Sequence, residues 1–309
     1  MEREPLFVTK RLEGPLVRCR DCGLVAVSLS PATGGAPAGA ALGEEMGRLS
    51  RRARELSLIE PGVEEQELPW RQQMAAERLD DLLDVLARLA PETLQGETGE
   101  VRSRARLLEV GSSTGDFLRA AQARFAVQGI EADAAAASVA HSRGLHCFRG
   151  SIAEAGLPPD SFDLAVLYHV FEHFRDPRSE LRQLRGLVRP SGVLVLETPD
   201  VETIWFRLLG ERWRQIIPDH LFFFSPATLG RLLQEEGWTV LSCRHVGKSM
   251  SVRLFISRIG RNYPRTARLL VRLANMLRVE DRTLRLNLGD VIRVYARREE
   301  GDLAGGGPV

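Results

Sequence analysis

The feature that most constrains the fold is the segment from Leu107 to Leu118, which reads Leu-Leu-Glu-Val-Gly-Ser-Ser-Thr-Gly-Asp-Phe-Leu. It has the pattern of a short apolar strand ending beside an acidic residue, a turn of small residues, and the start of an amphipathic helix. Small residues let a ligand approach the backbone closely, and in open α/β sheets such a pocket lies outside the carboxyl end of the strand. The segment therefore predicts a pocket for a nucleotide-like ligand.

The spacing around this turn narrows the class of ligand. Gly111 and Gly115 do not fit the G-x-G-x-x-G pattern, so a dinucleotide site is disfavoured. Glu131 follows 20 residues after Gly111, at the end of the next predicted strand, where its carboxylate can accept hydrogen bonds from both ribose hydroxyls of an adenosine ligand. The alternative is that Glu131 or Asp133 only caps the following helix. We favour the cap for Asp133 and the ribose contact for Glu131.

Apolar runs and helical patterns alternate through the second two-thirds of the chain. Strands are predicted at residues 106–110, 127–130, 145–148, 163–168, 193–197, 238–245 and 291–296. Helices are predicted between most of them, at residues 115–125, 134–143, 177–188 and 226–236. This alternation indicates an α/β fold in which a parallel sheet has helices on both faces.

Changes in composition divide the chain into three predicted regions. Residues 1–43 form a small β-rich segment and a linker rich in Pro, Ala and Gly. Residues 44–100 form a helical extension that serves as a lid or a dimer surface. Residues 101–309 form the α/β domain, with a helical insertion at about 246–289.

Composition and charge also limit the classes of partner that we expect for this chain. The chain has 309 residues and a net charge of +1, so no global field favours nucleic acid or membranes. No apolar run is long enough to span a bilayer, and Met1 to Lys10 lacks the apolar core of a signal peptide. We therefore expect a cytoplasmic protein that binds neither nucleic acid nor membranes, and homodimerisation is left open.

Cysteine usage does not indicate a metal centre. Cys19 and Cys22 form one C-x-x-C knuckle, whereas a structural zinc site needs four ligands and usually two knuckles. The sequence has no second knuckle, so no metal site is predicted. Cys147 and Cys243 lie in strand-like runs and are expected in the core.

Two segments together resemble class I S-adenosylmethionine (SAM) methyltransferases of the bacterial small-molecule and sugar-modifying type. In Glu109–Gly115 an acidic residue precedes a Gly-x-Ser-x-Gly turn, and Phe162–Pro177 is similar to the family's "FDLV…HVLEH…DP" block. The resemblance covers roughly residues 105–240. It implies a Rossmann-like, mostly parallel sheet of seven strands with an N-terminal helical extension. The segment Val17–Val25 also resembles the second half of the zinc ribbon that opens many such proteins, here in degenerate form.

The resemblance implies which residues bind SAM. In the family an acidic residue after the third strand hydrogen-bonds the adenine amino group. Ser151 stands at that position, so either Ser151 and the backbone of Ile152 make the contact or the adenine contact is weaker in this chain. The residues carried over as the cofactor site are Glu109, Gly111, Ser113, Gly115, Phe117, Glu131, Ala132, Ser151, Ile152 and Tyr168.

His169, which follows the predicted fourth strand, is the first candidate catalytic residue. A hydroxyl nucleophile must lose its proton during methyl transfer, and His suits that task near neutral pH. The alternative is that His169 only packs against the cofactor. Glu172 and His173 are expected to orient the loop, with His173 toward the substrate. His169, Glu172 and His173 also match the H-x-x-E-H signature of zinc proteases, which we disfavour because that motif belongs inside a long helix.

A downstream segment, Trp213–Leu229, resembles the block that lines the acceptor side of the pocket in the same families. This resemblance makes His220 a second candidate catalytic base, and Trp213 and Phe223 candidate substrate contacts. Ser225 before Pro226 predicts the start of a helix, because Ser is a preferred N-cap and Pro suits the first helical position.

The resemblance implies a SAM-dependent methyltransferase for a small-molecule acceptor, with O-methylation of a sugar or a secondary metabolite expected. Methylation of nucleic-acid bases is disfavoured, because no Pro-Pro-aromatic motif follows the fourth strand. Two alternatives stay open. One is a SAM-binding module without turnover, and the other is the H-x-x-E-H zinc hydrolase.

Overall fold

The computed structural model describes residues 3–28, 69–93, 104–260 and 263–301. The predicted linker and the first part of the helical extension lie outside these ranges. In chain order, the strands are β1 (Arg3–Phe7), β2 (Leu16–Cys19), β3 (Val25–Val27), β4 (Arg106–Val110), β5 (Ala126–Glu131), β6 (Cys147–Arg149), β7 (Phe162–Tyr168), β8 (Val188–Pro199), β9 (Phe222–Phe223), β10 (Trp238–His245), β11 (Lys248–Ser251), β12 (Thr283–Leu286) and β13 (Val291–Arg298). The α-helices are α1 (Pro69–Leu89), α2 (Asp116–Ala121), α3 (Ala134–Ser142), α4 (Pro177–Leu187), α5 (Ile204–Leu209), α6 (Pro226–Glu235), α7 (Val252–Gly260) and α8 (Pro264–Leu277).

A seven-stranded sheet forms the centre of the described part of the chain. Its strand order is β6-β5-β4-β7-β8-β13-β10. The pairs among the first five strands are parallel, and β13 runs antiparallel to both β8 and β10. The predicted Rossmann-like, mostly parallel seven-stranded sheet is confirmed. The order reverses between β4 and β7, and ligand crevices in open α/β sheets form at such a point.

The central strands are apolar because both faces of the sheet are covered. Every residue of β7 is buried, as parallel strands between two helical layers require. One core cluster on the sheet includes Leu181 of α4 and Leu229 of α6, and another includes Leu82 of α1 and Leu118 of α2. Helix α1 thereby becomes part of the layer that covers the sheet.

Helix starts agree with the capping residues read from the sequence. The side chain of Asp133 accepts a hydrogen bond from the Ala136 backbone N–H at 2.9 Å, which confirms it as the cap of α3. Ser225 forms a capping box with Thr228 at the start of α6, as its position before Pro226 predicts. These caps fix where the loops after β5 and before α6 end.

The N-terminal strands do not stand apart from the rest of the fold. Strands β1, β2 and β3 form an antiparallel sheet whose fourth strand is β9, from the downstream segment. Trp213 and Phe223 are 1% exposed and pack in one core cluster with Leu16 and Val25 of this sheet. Both aromatic side chains, predicted to contact substrate, instead join the N-terminal sheet to the body of the protein.

The segment between β10 and β13 forms a smaller unit of paired strands and helices. Strand β11 pairs antiparallel with β12, and α7 and α8 lie between them in sequence. The side-chain hydroxyl of Ser249 on β11 donates to Glu77 of α1 at 2.7 Å, so the unit lies against α1. Cys147 is buried as expected, but the same expectation for Cys243 is wrong, because that residue is exposed. In the described ranges, no helix has both the length and the apolar character needed to cross a membrane.

Candidate functional site

A crevice of about 280 Å³ opens at the carboxyl ends of β4, β5, β6 and β7. Seven of the ten residues predicted to bind the cofactor line it, together with both His169 and His173. The seven are Gly111, Ser113, Glu131, Ala132, Ser151, Ile152 and Tyr168. The crevice therefore lies where the strand order reverses and gathers residues from four separate loops.

The turn after β4 keeps the floor of the crevice free of side chains. Gly111 has φ +70°, and a Cβ there would lie 2.2 Å from Cγ2 of Val170. Ser113 also has a positive φ, +49°, which is uncommon for a residue other than glycine. The backbone N–H groups of Gly111 and Ser112 both donate to the Ile130 carbonyl, at 2.8 and 3.1 Å, so the turn is tied to β5.

Glu131 holds this turn through its carboxylate. One carboxylate oxygen accepts the Ser113 backbone N–H at 2.7 Å, and the other accepts the Asp133 backbone N–H at 2.8 Å. A carboxylate is an acceptor-only group, which is also the chemistry that ribose hydroxyls require. The contact with Ser113 was not predicted from the sequence. An acidic residue that faces the backbone N–H groups of a turn indicates such a hydrogen bond.

The three remaining predicted cofactor residues support the crevice from behind. Gly115, with φ +82°, begins α2 and packs closely on Leu145. Phe117 lies edge-on to Tyr168, with ring centroids 4.9 Å apart. Glu109 is buried, and burial raises the pKa of its carboxyl well above the usual value. These residues shape the walls and are not among the residues that line the crevice.

Tyr168, at the end of β7, lines the crevice and has an unsatisfied polar group. Its hydroxyl is buried and has no hydrogen-bond partner among the described residues. The guanidinium of Arg78 lies over its ring, 4.3 Å from the centroid. An unpaired buried hydroxyl is costly, so a ligand that bonds it would be favoured.

One end of the crevice has two carboxylates that differ in their role. Glu154 accepts both the backbone N–H and the hydroxyl of Ser151, each at 2.9 Å, and so fixes the turn after β6. Glu180 of α4 lines the crevice itself. Burial, and then the neighbouring charge of Asp176, raises the pKa of Glu180 to about 7. Glu180 was missed from the sequence, because its place beside the Ser151 loop depends on how α4 packs.

His169 occupies a strained position at the end of β7. Its φ is +60°, and its Nδ1 lies 3.1 Å from Oε1 of the buried Glu172. Its Nε2 lies 3.1 Å from Oε1 of Glu197, a buried residue of β8. Positive φ in a residue other than glycine persists where surrounding contacts impose it, often at functional sites.

The two carboxylates around His169 are ionised. Burial raises the pKa of Glu172, but the hydrogen bond and charge of His169 lower it more, to about 2. Burial likewise raises the pKa of Glu197, yet Arg78 and Arg293 bring it well below the usual value. Each ring nitrogen of His169 therefore faces an anionic carboxylate at 3.1 Å, Nδ1 facing Glu172 and Nε2 facing Glu197, and two such neighbours stabilise the ring when it carries a proton.

His173 is a structural cation. Its Nδ1 lies 2.7 Å from the Asp219 carbonyl oxygen and its Nε2 lies 3.1 Å from the His169 carbonyl oxygen. Carbonyl oxygens only accept hydrogen bonds, so both ring nitrogens donate and the ring is an imidazolium. Burial lowers the pKa of His173, but the charges of Asp219 and Glu172 outweigh it and raise the pKa.

This protonation argues against a zinc centre at the H-x-x-E-H motif. Potential ligand atoms of Glu172, His173 and His220 lie within 4.8 Å of one another. However, a metal ligand must be neutral imidazole, and both nitrogens of His173 are engaged with carbonyls. The motif also spans a single 3-10 turn, Phe171–His173, instead of a long helix. The hydrolase alternative therefore lacks the geometry that its chemistry needs.

His220 does not share the setting of His169. It is 4% exposed, is absent from the residues that line the crevice, and packs edge-on against His173. Burial, and then the charge of His173, lowers its pKa to about 4. A base this weak and this enclosed is poorly suited to remove a proton at neutral pH.

Comparison with known proteins supplies the family. Residues 72–243, more than half of the chain, match the family model described as "Methyltransferase domain". The chain belongs to this family. It is a class I SAM-dependent methyltransferase, and SAM is the expected cofactor.

Two relatives show how far the similarity extends. The ubiquinone biosynthesis O-methyltransferase of Aeromonas salmonicida is 30% identical over 93 residues, which are 28% of this chain and 39% of that protein. The chain thus spans well under half of this curated relative. The solved structure of the cyclase SpnF matches with a TM-score of 0.50 at 19% identity, covering 86% of this chain and 98% of that one. A SAM-dependent methyltransferase from Archaeoglobus fulgidus matches with a TM-score of 0.48 at 14% identity, covering 74% and 94%. The SpnF match concerns the fold alone.

Gly111→Ala should weaken SAM binding at least tenfold, because the added methyl group would collide with Val170 at the floor of the crevice. Isothermal titration calorimetry with SAM measures the effect. Gly144→Ala is the matched control. Gly144 has φ +73° with nothing within 4 Å of an added Cβ, so strain without collision should cost about 1–2 kcal/mol of stability and leave SAM affinity unchanged. Equal SAM affinity in Gly111→Ala and wild type would contradict the assigned floor.

Glu180→Gln should stabilise the protein at high pH. The raised pKa means that ionised Glu180 destabilises the fold, a cost that is complete above pH 7 and vanishes below the pKa of the unfolded chain. The melting temperature of Glu180→Gln should therefore exceed that of wild type at pH 8.5, and the gap should close near pH 4.5. Glu4→Gln, at an exposed carboxylate, should show no such pH-dependent gap. A gap that is constant with pH would refute the assignment.

Proposed function

We propose that this protein transfers the methyl group of SAM to an oxygen atom of a small-molecule acceptor, with SAM bound in the crevice. The observation that carries the proposal is the placement of His169. His169 lines the crevice, and its two ring nitrogens lie 3.1 Å from the carboxylates of Glu172 and Glu197, which would stabilise the ring once it has taken up a proton. Hydroxyl acceptors need such a base because the oxygen must lose its proton as the methyl group is transferred.

The residues that line the crevice fit SAM. Glu131 would accept the ribose hydroxyls, and the backbone of Ile152 together with Ser151 would face the adenine. The glycine turn at Gly111 allows close approach of the ligand, and the unpaired hydroxyl of Tyr168 offers a further polar contact. When bound, SAM supplies an activated methyl group on a sulfonium.

Two features of this chain prepare His169 for proton transfer. The anionic Glu172 orients the ring through Nδ1 and would stabilise it once it is protonated, in the manner of the carboxylate of a catalytic triad. Glu197 lies 3.1 Å from Nε2 and would stabilise the same charged state. The buried His173 imidazolium donates to the His169 carbonyl, so the backbone of the base is held in its strained conformation.

The name of one relative supports an oxygen acceptor. The matched protein from Aeromonas salmonicida is an O-methyltransferase of ubiquinone biosynthesis, hence an enzyme for a small molecule. A sugar or a secondary metabolite is the acceptor class that the family resemblance favours for this chain. Loss of turnover with retained SAM binding is the alternative, and the kinetic experiment below separates the two.

Glu131→Gln should weaken SAM binding about 10- to 100-fold, because hydrogen bonds to a charged acceptor contribute about 1.5–3 kcal/mol. Calorimetric titration with SAM and with S-adenosylhomocysteine measures this loss. Glu4→Gln, remote and exposed, should bind both ligands as wild type does. If wild type binds neither ligand, the proposed function is wrong.

His169→Asn should reduce kcat about 10²- to 10⁴-fold, the usual contribution of a general base, while SAM affinity changes little. Transfer of a radiolabelled methyl group from SAM to a panel of phenols, sugars and hydroxy acids identifies an acceptor and then measures kcat. His146→Asn is the control, since His146 is exposed and lies outside the crevice lining. Wild-type turnover in His169→Asn would leave His169 as a packing residue only.

A further inference from the structure

A second cavity, of about 200 Å³, lies on the other side of Glu197 from the crevice. We call it the basic cavity. It is lined by α1, by the ends of β8 and β10, by β11 and β12, and by β13. The residues that the argument uses are Arg78, Arg244, Lys248, Arg285, Arg293 and Glu197.

The wall between the two cavities is one layer of side chains thick. Glu197 lines the basic cavity and His169 lines the crevice, and the two side chains approach to 3.1 Å. Arg78 lines the basic cavity and stacks on Tyr168, which lines the crevice. A molecule that extends from the basic cavity toward His169 would thus approach the region where a methyl group is transferred. Transfer requires the reacting atoms to lie about 3–3.5 Å apart.

The lining of the basic cavity is unbalanced in charge. Five arginine or lysine side chains face three carboxylates, those of Glu77, Asp81 and Glu197. Each carboxylate already accepts hydrogen bonds from the protein. Asp81 accepts from Arg244, Arg293 and Tyr295, Glu197 accepts from Arg78 and Arg293, and Glu77 accepts from Ser249. Arg285 also lies 3.8 Å from Glu77, so each of the four arginines has a carboxylate partner, but the five cations exceed the three anions by two charges.

Lys248 contributes to this excess of positive charge. Its side chain is half-buried on β11, and it forms no hydrogen bond or ion pair with any residue in the described ranges. The charged groups with the largest effect on it are Glu197, Arg214, Arg78 and Arg258, and the carboxylate of Asp290 also interacts with it. Burial, and then the nearby arginines, lowers the pKa of Lys248 to about 7 despite the attraction of Glu197. A partly desolvated cation among cations is stabilised by any anion that enters the cavity.

We propose that the methyl acceptor carries an anionic oxygen group, a carboxylate or a phosphate, which binds Lys248 in the basic cavity. The proposal rests on the proposed function, because it identifies the cavity as the acceptor's site. An anion there would face the ammonium of Lys248 with the guanidinium groups of Arg78 and Arg293 nearby. The reacting hydroxyl would then lie on the side of the acceptor that faces His169. A neutral sugar would leave the charge of Lys248 uncompensated.

The test measures binding of small anions to the full chain by calorimetry, with and without saturating S-adenosylhomocysteine. The probes are benzoate, phenyl phosphate and the neutral analogue benzamide. In wild type, at least one anion should bind ten times or more tightly than benzamide. Lys248→Met should remove about tenfold or more of this preference. Lys10→Met, at the only other lysine of the chain, should leave the preference unchanged. If benzoate binds more tightly than phenyl phosphate, the anionic group of the acceptor is a carboxylate, and if phenyl phosphate binds more tightly, it is a phosphate.

A pH series separates the charge of Lys248 from its packing. Protonated Lys248 predominates below pH 7, so wild-type affinity for benzoate should fall between pH 6 and pH 8.5. Lys248→Arg keeps its charge throughout this range, so its affinity should fall much less and should exceed that of wild type at pH 8.5. His245 also lines the cavity, and it is common to both proteins.

The outcomes separate this inference from the proposed function. If S-adenosylhomocysteine binds and wild type does not prefer the anions to benzamide, the acceptor inference is wrong and the proposed function stands. The acceptor inference is also wrong, and the proposed function stands, if Lys248→Met and Lys248→Arg are folded and both retain the wild-type preference for the anions over benzamide at every pH. If S-adenosylhomocysteine does not bind to wild type, the proposed function fails whatever the anions do.

Discussion

The site depends on how the buried carboxylate of Glu197 is neutralised. Glu197 is 1% exposed, and Arg78 and Arg293 donate to it at 2.5 and 3.0 Å. Removing one partner from a buried ion pair typically costs about 3–5 kcal/mol, because the remaining charge is left desolvated. Glu197 belongs to β8, Arg78 to α1 and Arg293 to β13, so a single charge ties the N-terminal helix to two strands of the central sheet. It also lies 3.1 Å from the His169 ring, which links the architecture to the chemistry.

Three histidines within one small region have different roles because their neighbours differ. His169 faces two carboxylates, each 3.1 Å from one ring nitrogen, whereas His173 donates from both nitrogens to carbonyl oxygens and is cationic. His220 packs against that cation in a buried setting, which holds its pKa at about 4. The same side chain thus serves as candidate base, fixed cation and neutral packing group. Only the first of these settings suits proton transfer, so the H-x-x-E-H pattern describes a hydrogen-bonded turn instead of a set of metal ligands.

Sequence reasoning succeeded where local pattern determines structure. The glycine turn, the Asp133 cap and the Ser225 cap each depend on residues within a few positions, and the structure contains all three. It failed for Trp213 and Phe223, which are buried because β9 pairs with β3, a strand about 200 residues earlier in the chain. No local pattern reports such a pairing. Glu180 and Lys248 were missed for the same reason, since each reaches its cavity only through the packing of α4 or β11.

The division between predictable and unpredictable residues follows the construction of the two cavities. The crevice is built at the carboxyl edge of the sheet, where consecutive strands deliver their loops to one place, so its residues occur in order along the sequence. The basic cavity is built where the N-terminal helix α1 and the inserted strands β11 and β12 close over β8 and β13. Such added elements can change while the sheet and its crevice stay the same, which is how one fold accommodates many functions. Acceptor specificity in this protein is therefore expected to lie in the charges of α1 and β11, outside the glycine turn and the loops that form the crevice.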